Sequence, residues 1–237
     1  PPAAMTPLPL AAHFERYFDV RRADDDASRR EVFALRYAVY CDELGYEDPS
    51  VFPDRLERDA HDEHAVFALM RHLPTGRVAA CVRLILARGR PGARFPFESV
   101  CAGRLDRALL DLERLDRQRA GEISRLAVHH DFRRRGHESR LPEGAVLAGA
   151  RYPLVAMGLF LTATALAIEE GLEQAFMMTE PRLARLLATC GIRFTQVGDV
   201  IDYHGQRGPF RITRDDLETH LGDEGREWLE HLRAALR

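Results

Sequence analysis

Two spacings of apolar residues run through this chain, one helical and one alternating. In "DDDASRREVFALRYAVYCDELG" the residues Val32, Leu35 and Val39 recur on one face behind an acidic start able to cap, and Gly45 marks a stop, so the pattern predicts a helix. Before it, "YFDVRRA" (residues 17–23) reads as a first strand. "HAVFALMRH" and "RVAACVRLILA" are β-rich runs joined by "LPTG", the signature of a hairpin. A leucine-spaced stretch over residues 105–115 is expected to be helical. "EISRLAV" alternates imperfectly through Ile123, Leu126 and Val128, which predicts a central strand with an irregularity near Arg125. After the mostly polar residues 131–149, Pro153 suits the first position of a long apolar helix ending near Gly171. Strand "QAFMMTE", helix "PRLARLLATCG" and strand "IRFTQVGDVIDYHG" follow, and residues 213–237 alternate leucines with charges as one or two amphipathic helices. The order β-α-β-β-α-β-α-β-α-β implies an α/β fold, a mixed central sheet flanked by helices. One domain is expected, with a core of about residues 17–212 and a helical C-terminal extension.

Composition narrows the chemistry. A chain of 237 residues with 46% hydrophobic and 30% charged residues suits a soluble globular protein. No apolar run reaches the ~20 residues of a membrane span. The first residues, "PPAAMTPLPLAAHFERYF", lack the basic start and apolar core of a secretory signal, so a cytoplasmic location is expected. All 34 basic residues are arginine, which removes lysine Schiff bases, lysine general bases and the P-loop. A guanidinium does not release its proton near neutral pH, so a general base has to be Glu, Asp, His or Tyr. The net charge of −3 speaks against nonspecific nucleic-acid binding. Cys41, Cys81, Cys101 and Cys190 are scattered, without a C-x-x-C pair or a nearby histidine at ligand spacing. They read as isolated buried thiols, and no metal centre is expected.

The densest chemistry lies in "GEISRLAVHHDFRRRG", residues 121–136. Here Glu122 and Arg125 stand three residues apart on an apolar segment that runs into an arginine cluster. They fit either a buried structural ion pair or half of an active site. "FRRRGHE" resembles the R/Q-x-x-G-x-G/A loop of the GCN5-related N-acetyltransferase (GNAT) superfamily, Arg133 and Gly136 matching the first and fourth positions and Glu138 standing in place of the final small residue. In that fold a strand, a turn and a helix N-terminus present backbone N–H groups to the phosphates of an acyl carrier. Arg36, Tyr40 and Tyr46 are similar in spacing to an arginine and two aromatics of acyl-homoserine-lactone synthases. The D-x-x-D of "DAHD" (Asp59, Asp62), Arg83 of "CVRLI" and the E-x-S-R of "EISR" (Glu122, Ser124, Arg125) follow in the same order. The blocks "LRYAVYCDELGYEDP", "FPDRLERDAHDEHA", "RFPFE", "GEISRLAV", "GIRFTQVG" and "DYHGQRGP" resemble most closely the acyltransferases associated with PEP-CTERM/exosortase systems, relatives of the autoinducer synthases and N-acyl amino acid synthases.

That resemblance implies a GNAT fold and transfer of a fatty acyl chain from a thioester to the amine of an amino acid or related small amine. Glu122 would accept the proton, with Arg125 setting its position and Ser124 beside them. Backbone amides around Leu126, Ala127 and Val128 would polarise the carbonyl. Arg36, Tyr40 and Tyr46 would line the acceptor pocket, Arg36 holding a carboxylate, and Asp59, Asp62 and Arg83 would support it, unless these charges simply form one interior network. Arg133, Arg134, Arg135 and Gly136 would face the donor. An arginine-rich opening with Glu138 in place of a second small residue suits the single phosphodiester of acyl carrier protein better than the pyrophosphate of acyl-CoA. The acyl-phosphopantetheine is then a co-substrate, and no bound cofactor is expected. The apolar residues 155–168 and 176–178 suit an acyl-chain tunnel or plain core. His204 reads as a turn residue more readily than as a base. Two other readings remain, an acyl-homoserine-lactone synthase using S-adenosylmethionine and a non-catalytic module that binds acyl carrier protein or lipid.

Overall fold

The computed structural model describes residues 10–90, 92–133 and 154–237. The chain runs α1 (Leu10–Glu15), β1 (Phe18–Arg22), α2 (Asp26–Tyr37), β2 (Ala65–His72), β3 (Val78–Leu86), α3 (Pro96–Val100), β4 (Ala120–Val128), α4 (His130–Arg133) and α5 (Leu154–Glu169). It continues through β5 (Gln174–Thr179), α6 (Pro181–Ala188), β6 (Thr195–Gln196), β7 (Ile201–Asp202), β8 (Gln206–Thr213), α7 (Arg214–His220) and α8 (Asp223–Leu236). Among the described residues the strands form one sheet in the order β1-β2-β3-β4-β5-β8-β6, with β7 paired to β8. All neighbours are antiparallel except β4 and β5, which are parallel.

Each face of the sheet buries its own apolar cluster. One is built on α5, whose residues are buried almost all round, together with α1 and the α8 residues Trp228, Leu229, Leu232 and Leu236. The C-terminal helix is thus part of this layer and completes its core. The other cluster gathers Val32 and Leu35 of α2 and Val39 just after it with Phe95, Phe97 and Phe176. Asp25 caps α2 by accepting from the Ser28 N–H at 2.7 Å. The helix then widens into a π-helical turn at Ala38–Glu43, an irregularity common at functional sites. Gly45 follows with φ of 62°, the left-handed conformation that glycine adopts without strain.

Two segments depart from expectation. Residues 105–115 form turns and no helix. The carboxylates of Asp106, Asp111 and Asp116 each accept from the backbone N–H two residues on, at 2.9–3.0 Å, and these local bonds replace helical ones. The strand expected in "IRFTQVGDVIDYHG" contracts to the two-residue β6 and β7. The full strand is β8, whose Gly208 and Pro209 pair with Thr179 and Met178 of β5. Glycine and proline read as punctuation, yet apposition with β5 overrides that local signal.

Two irregularities of β4 open the site. Pairing with β3 steps from Cys81↔Ala127 to Arg83↔Ser124, so Val82 faces two residues, Arg125 and Leu126. Arg125 has φ of 50°, and this bulge shifts the alternation by one. Glu122, Ser124, Arg125 and Ala127 therefore all serve the α2 side, while Ile123, Leu126 and Val128 serve the α5 side. On its other edge, β4 pairs with β5 only from Ala120↔Gln174 to Glu122↔Phe176, and beyond that point the two parallel strands have no further pairing.

Candidate active site

A buried ion network covers the α2 side of the bulge. Arg36 is completely enclosed, at 0% exposure; its Nε donates to Glu57 and its Nη1 to Asp62 at 2.7 Å. Arg83 donates to Asp59 at 2.6 Å, to Asp62 at 2.8 Å and to the Ser124 hydroxyl at 3.0 Å. Arg125 bridges Glu47 at 2.8 Å and Glu57 at 3.1 Å and lies 5.3 Å over the Tyr40 ring. Asp59 and Asp62 also close a capping box on the short helix Ala60–His64, so the same carboxylates end a turn and neutralise guanidinium groups. Burial is the largest single influence on Asp59 and would raise it, but the guanidinium groups of Arg83, Arg125 and Arg36 together outweigh it and hold the carboxylate below its ordinary value.

Glu122 stands apart from that network. It is buried, and its Oε2 accepts from the Phe97 N–H in the first turn of α3 at 2.9 Å. No ion pair joins it to Arg83 or Arg125 among the described residues. Burial is the dominant influence, and it pushes the carboxyl up to about 8 despite the Phe97 hydrogen bond and the more distant Arg83. The neighbouring Glu98 is instead paired with Arg117, at 2.5 and 3.0 Å.

A cleft of about 480 Å³ opens where β4 and β5 part. Its α2-side wall is polar and aromatic, with Tyr40, Tyr46, Arg83, Glu122, Ser124 and Arg125. Its α5-side wall is apolar, with Leu126, Val128, Phe132, Leu159, Phe160 and Met177. The bulge makes this division, because it turns two successive polar side chains of β4 to one side and leaves the aliphatic ones on the other. No cysteine lines the cleft, and burial pushes Cys41 and Cys101 up to about 11 and Cys81 up to about 12, away from a reactive thiolate. His129, His130 and Asp131 bring ligand atoms close enough for a metal ion. Arg77, however, donates to Asp131 at 2.8 Å and lies 3.2 Å from the His129 ring, putting fixed positive charge against the same atoms.

Residues 35–142 match the acetyltransferase (GNAT) domain family. That match covers a little under half of the chain, and it agrees with the GNAT-type α/β fold described above. A comparison with curated proteins found no match. Among solved structures, the fold is similar to the CoA-dependent acyl-homoserine lactone synthase BjaI bound to SAM and isopentyl-CoA, at 16% identity and a TM-score of 0.59 over 93% of this chain and 92% of that one. It is also similar to TofI in complex with an inhibitor and MTA, at 19% identity and a TM-score of 0.58 over 90% and 96%. FeeM, an N-acyl amino acid synthase from uncultured soil microbes, aligns at 14% identity and a TM-score of 0.58 over 86% and 94%.

Within this GNAT domain most of the expected residues converge, though not always as expected. Arg36 does not reach the acceptor pocket: α2 turns it inward, where Glu57 and Asp62 neutralise it. Asp59 and Asp62 lie behind the cleft wall and do not line it, while Arg83 reaches it. Arg125 shares the α2 side with Glu122 but pairs with Glu47 and Glu57 and leaves Glu122 alone. Tyr40 donates to the Leu126 carbonyl at 3.1 Å, tying the π-helical turn to β4, and its own carbonyl accepts from the Tyr46 N–H at 2.8 Å. Arg133 lines the cleft and pairs with Glu43. Arg134, Arg135, Gly136 and Glu138 lie outside the described residues.

Two functional candidates, Glu57 and Arg207, went unassigned in the sequence, and His204 was read there as a turn residue only. Glu57 is the hub of the ion network, hidden in a loop among other acidic residues. His204, with φ of 51°, stacks on Tyr46 at a centroid distance of 4.5 Å, and Arg207 lies 5.8 Å over the same ring. The block "DYHGQRGP" was the available signal for both, but nothing local says that its hairpin reaches Tyr46.

Among the described residues no helix is long and apolar enough to cross a membrane.

Proposed function

We propose that this protein is an N-acyltransferase that moves a fatty acyl chain from the thioester of acyl carrier protein to the amine of an amino acid or related small amine. The observation that carries this reading is the two-sided cleft, with the unpaired, buried Glu122 on its polar wall and an apolar wall across the parting of β4 and β5. The acyl chain lies along Leu126, Val128, Leu159 and Phe160, and the amine enters on the Tyr40/Tyr46 side. The neutral amine nitrogen attacks the thioester carbonyl, the C–N bond forms as the C–S bond breaks, and the thiol leaves. Glu122 takes the surplus ammonium proton, directly or through water. A carboxylate with a pKa of about 8 is well matched to that transfer near neutral pH. Polarisation of the carbonyl falls to backbone amides near Leu126, Ala127 and Val128, at the stretch of β4 without a β5 partner. Arg133 stands at the mouth, suited to the phosphodiester of the carrier arm and to an acidic carrier surface.

Free thiol release from acylated carrier protein in the presence of amino acids tests the activity, with mass spectrometry of the lipids identifying the product. Glu122→Gln should lower single-turnover transfer by about 10²- to 10⁴-fold. Full transfer by a folded Glu122→Gln enzyme would remove the base assignment. A second reading draws support from the SAM- and MTA-bound neighbours, namely lactone formation with S-adenosylmethionine. A lactone made with that substrate and no product with free amino acids would reverse the order.

A further inference from the structure

Among the described residues four guanidinium groups line the cleft, and three of them are already neutralised. Arg83 is held by Asp59 and Asp62, Arg125 by Glu47 and Glu57, and Arg133 by Glu43. The fourth, Arg207, makes no ion pair among the described residues, and its Nε is buried without a hydrogen-bond partner. It is half-buried at the start of β8, where Gly208 pairs with Thr179 at the end of β5, so it falls just past the parted strands. In the alternation of β8 it shares a face with Arg211, the partner of Phe176, which places it on the polar, α2 side of the sheet. Tyr46 is fixed beneath it through the Tyr40 carbonyl, and His204 stacks on Tyr46.

We propose that Arg207, over the Tyr46 ring, is the seat for a carboxylate on the amine acceptor, the role that the enclosed Arg36 cannot fill. The proposal rests on the N-acyltransferase reading for its ligand and names the acceptor class, an amine that also carries a carboxylate. A guanidinium lacking an internal counter-ion in a half-enclosed cleft is completed by an anion that comes with the ligand, and its planar fork matches a carboxylate. The stack of His204 on Tyr46 leaves an aromatic surface beside it for the rest of the acceptor. The phosphodiester of the donor is the competing anion, and its expected place is at Arg133, the last residue of α4, whose pair with Glu43 is solvent-exposed and so more readily exchanged than the pairs of Arg83.

The test uses a product-like pair that differs only in this charge, N-decanoylglycine and N-decanoylglycinamide, titrated calorimetrically into the full chain. Wild type should bind the carboxylate about tenfold or more tightly than the amide, the range of one charge-assisted hydrogen-bonded pair. Arg207→Gln should bind the two alike, with unchanged affinity for the amide and an unchanged melting temperature. Arg207→Lys, which keeps the charge without the fork, should retain a smaller preference, and it serves as the readout if the glutamine variant does not fold. Overturning results are a wild-type protein that binds both probes equally or does not bind the carboxylate, or a preference that survives intact in the folded variants. Thiol release from acylated carrier protein, run in parallel, separates this from the reaction itself. Discrimination lost in Arg207→Gln but no turnover in wild type would uphold the carboxylate seat and sink the transferase reading. Turnover without discrimination would do the reverse.

Discussion

Glu57 and Glu122 are both buried carboxylates beside the same bulge, at 1% and 3% exposure, and they do opposite work. Glu57 lies between two guanidinium groups, Arg36 and Arg125, and its backbone N–H is bonded to the Phe33 carbonyl, so helix, loop and strand are locked through one charge cluster. Glu122 has a single backbone donor and faces a cleft, so its charged form is poorly compensated and its proton is exchangeable near neutral pH. A buried acid that is fully paired is architecture; one that is left short of partners beside a cavity is available for chemistry.

The largest effect that could break this contrast is on stability. Glu57→Gln should cost about 3–5 kcal/mol in chemical denaturation, because it takes a buried counter-ion from both Arg36 and Arg125 and leaves them to share Asp62 and Glu47. Glu122→Gln should cost little or add stability while removing transfer, and equal losses in both variants would erase the distinction.

The next test is pH. The Glu122 carboxyl is raised from 4.5 to about 8 in the folded chain, so between those values the folded state binds the extra proton and the group's contribution to stability falls as pH rises. The melting temperature of Glu122→Gln should therefore gain on wild type from pH 5 to pH 8 and level off above it. A constant difference over that range would mean that Glu122 is not protonated in the folded protein. Single-turnover transfer, in turn, should rise with pH through the same interval.

The smallest effect concerns the tie across the cleft. Tyr40→Phe removes the hydrogen bond to the Leu126 carbonyl and should cost about 1 kcal/mol of stability. It should also weaken acceptor binding more than it slows single-turnover transfer from bound substrates. An unchanged acceptor KM would confine Tyr40 to a structural role.

Much of the fold was legible because its signals are local. The face of Val32, Leu35 and Val39 along α2 and the turn after it, the hairpin of β2 and β3, the apolar α5 and the β5–α6 pair each declare themselves within one short stretch of chain. Residues 105–115 misled because leucine spacing was weighed without the aspartates at five-residue intervals, whose side chains compete for backbone N–H groups. β8 was hidden because Gly208 and Pro209 signal a turn, and only the neighbouring β5 makes them a strand.

At the site, the sequence by itself determined which groups are present: an E-x-S-R strand with an irregularity, a chain without lysine, thiols far from any base, and an arginine ahead of two tyrosines. Tertiary structure alone decided their duties. The bulge at Arg125 changed which side chains share a face, the loop bearing Glu57 claimed Arg36 and Arg125, and the β7–β8 hairpin brought Arg207 over Tyr46 without a counter-ion among the described residues. Charge pairing is a property of distances across the fold, and residues more than a hundred positions apart, such as Tyr46 and Arg207, carry no mark of each other in the linear chain.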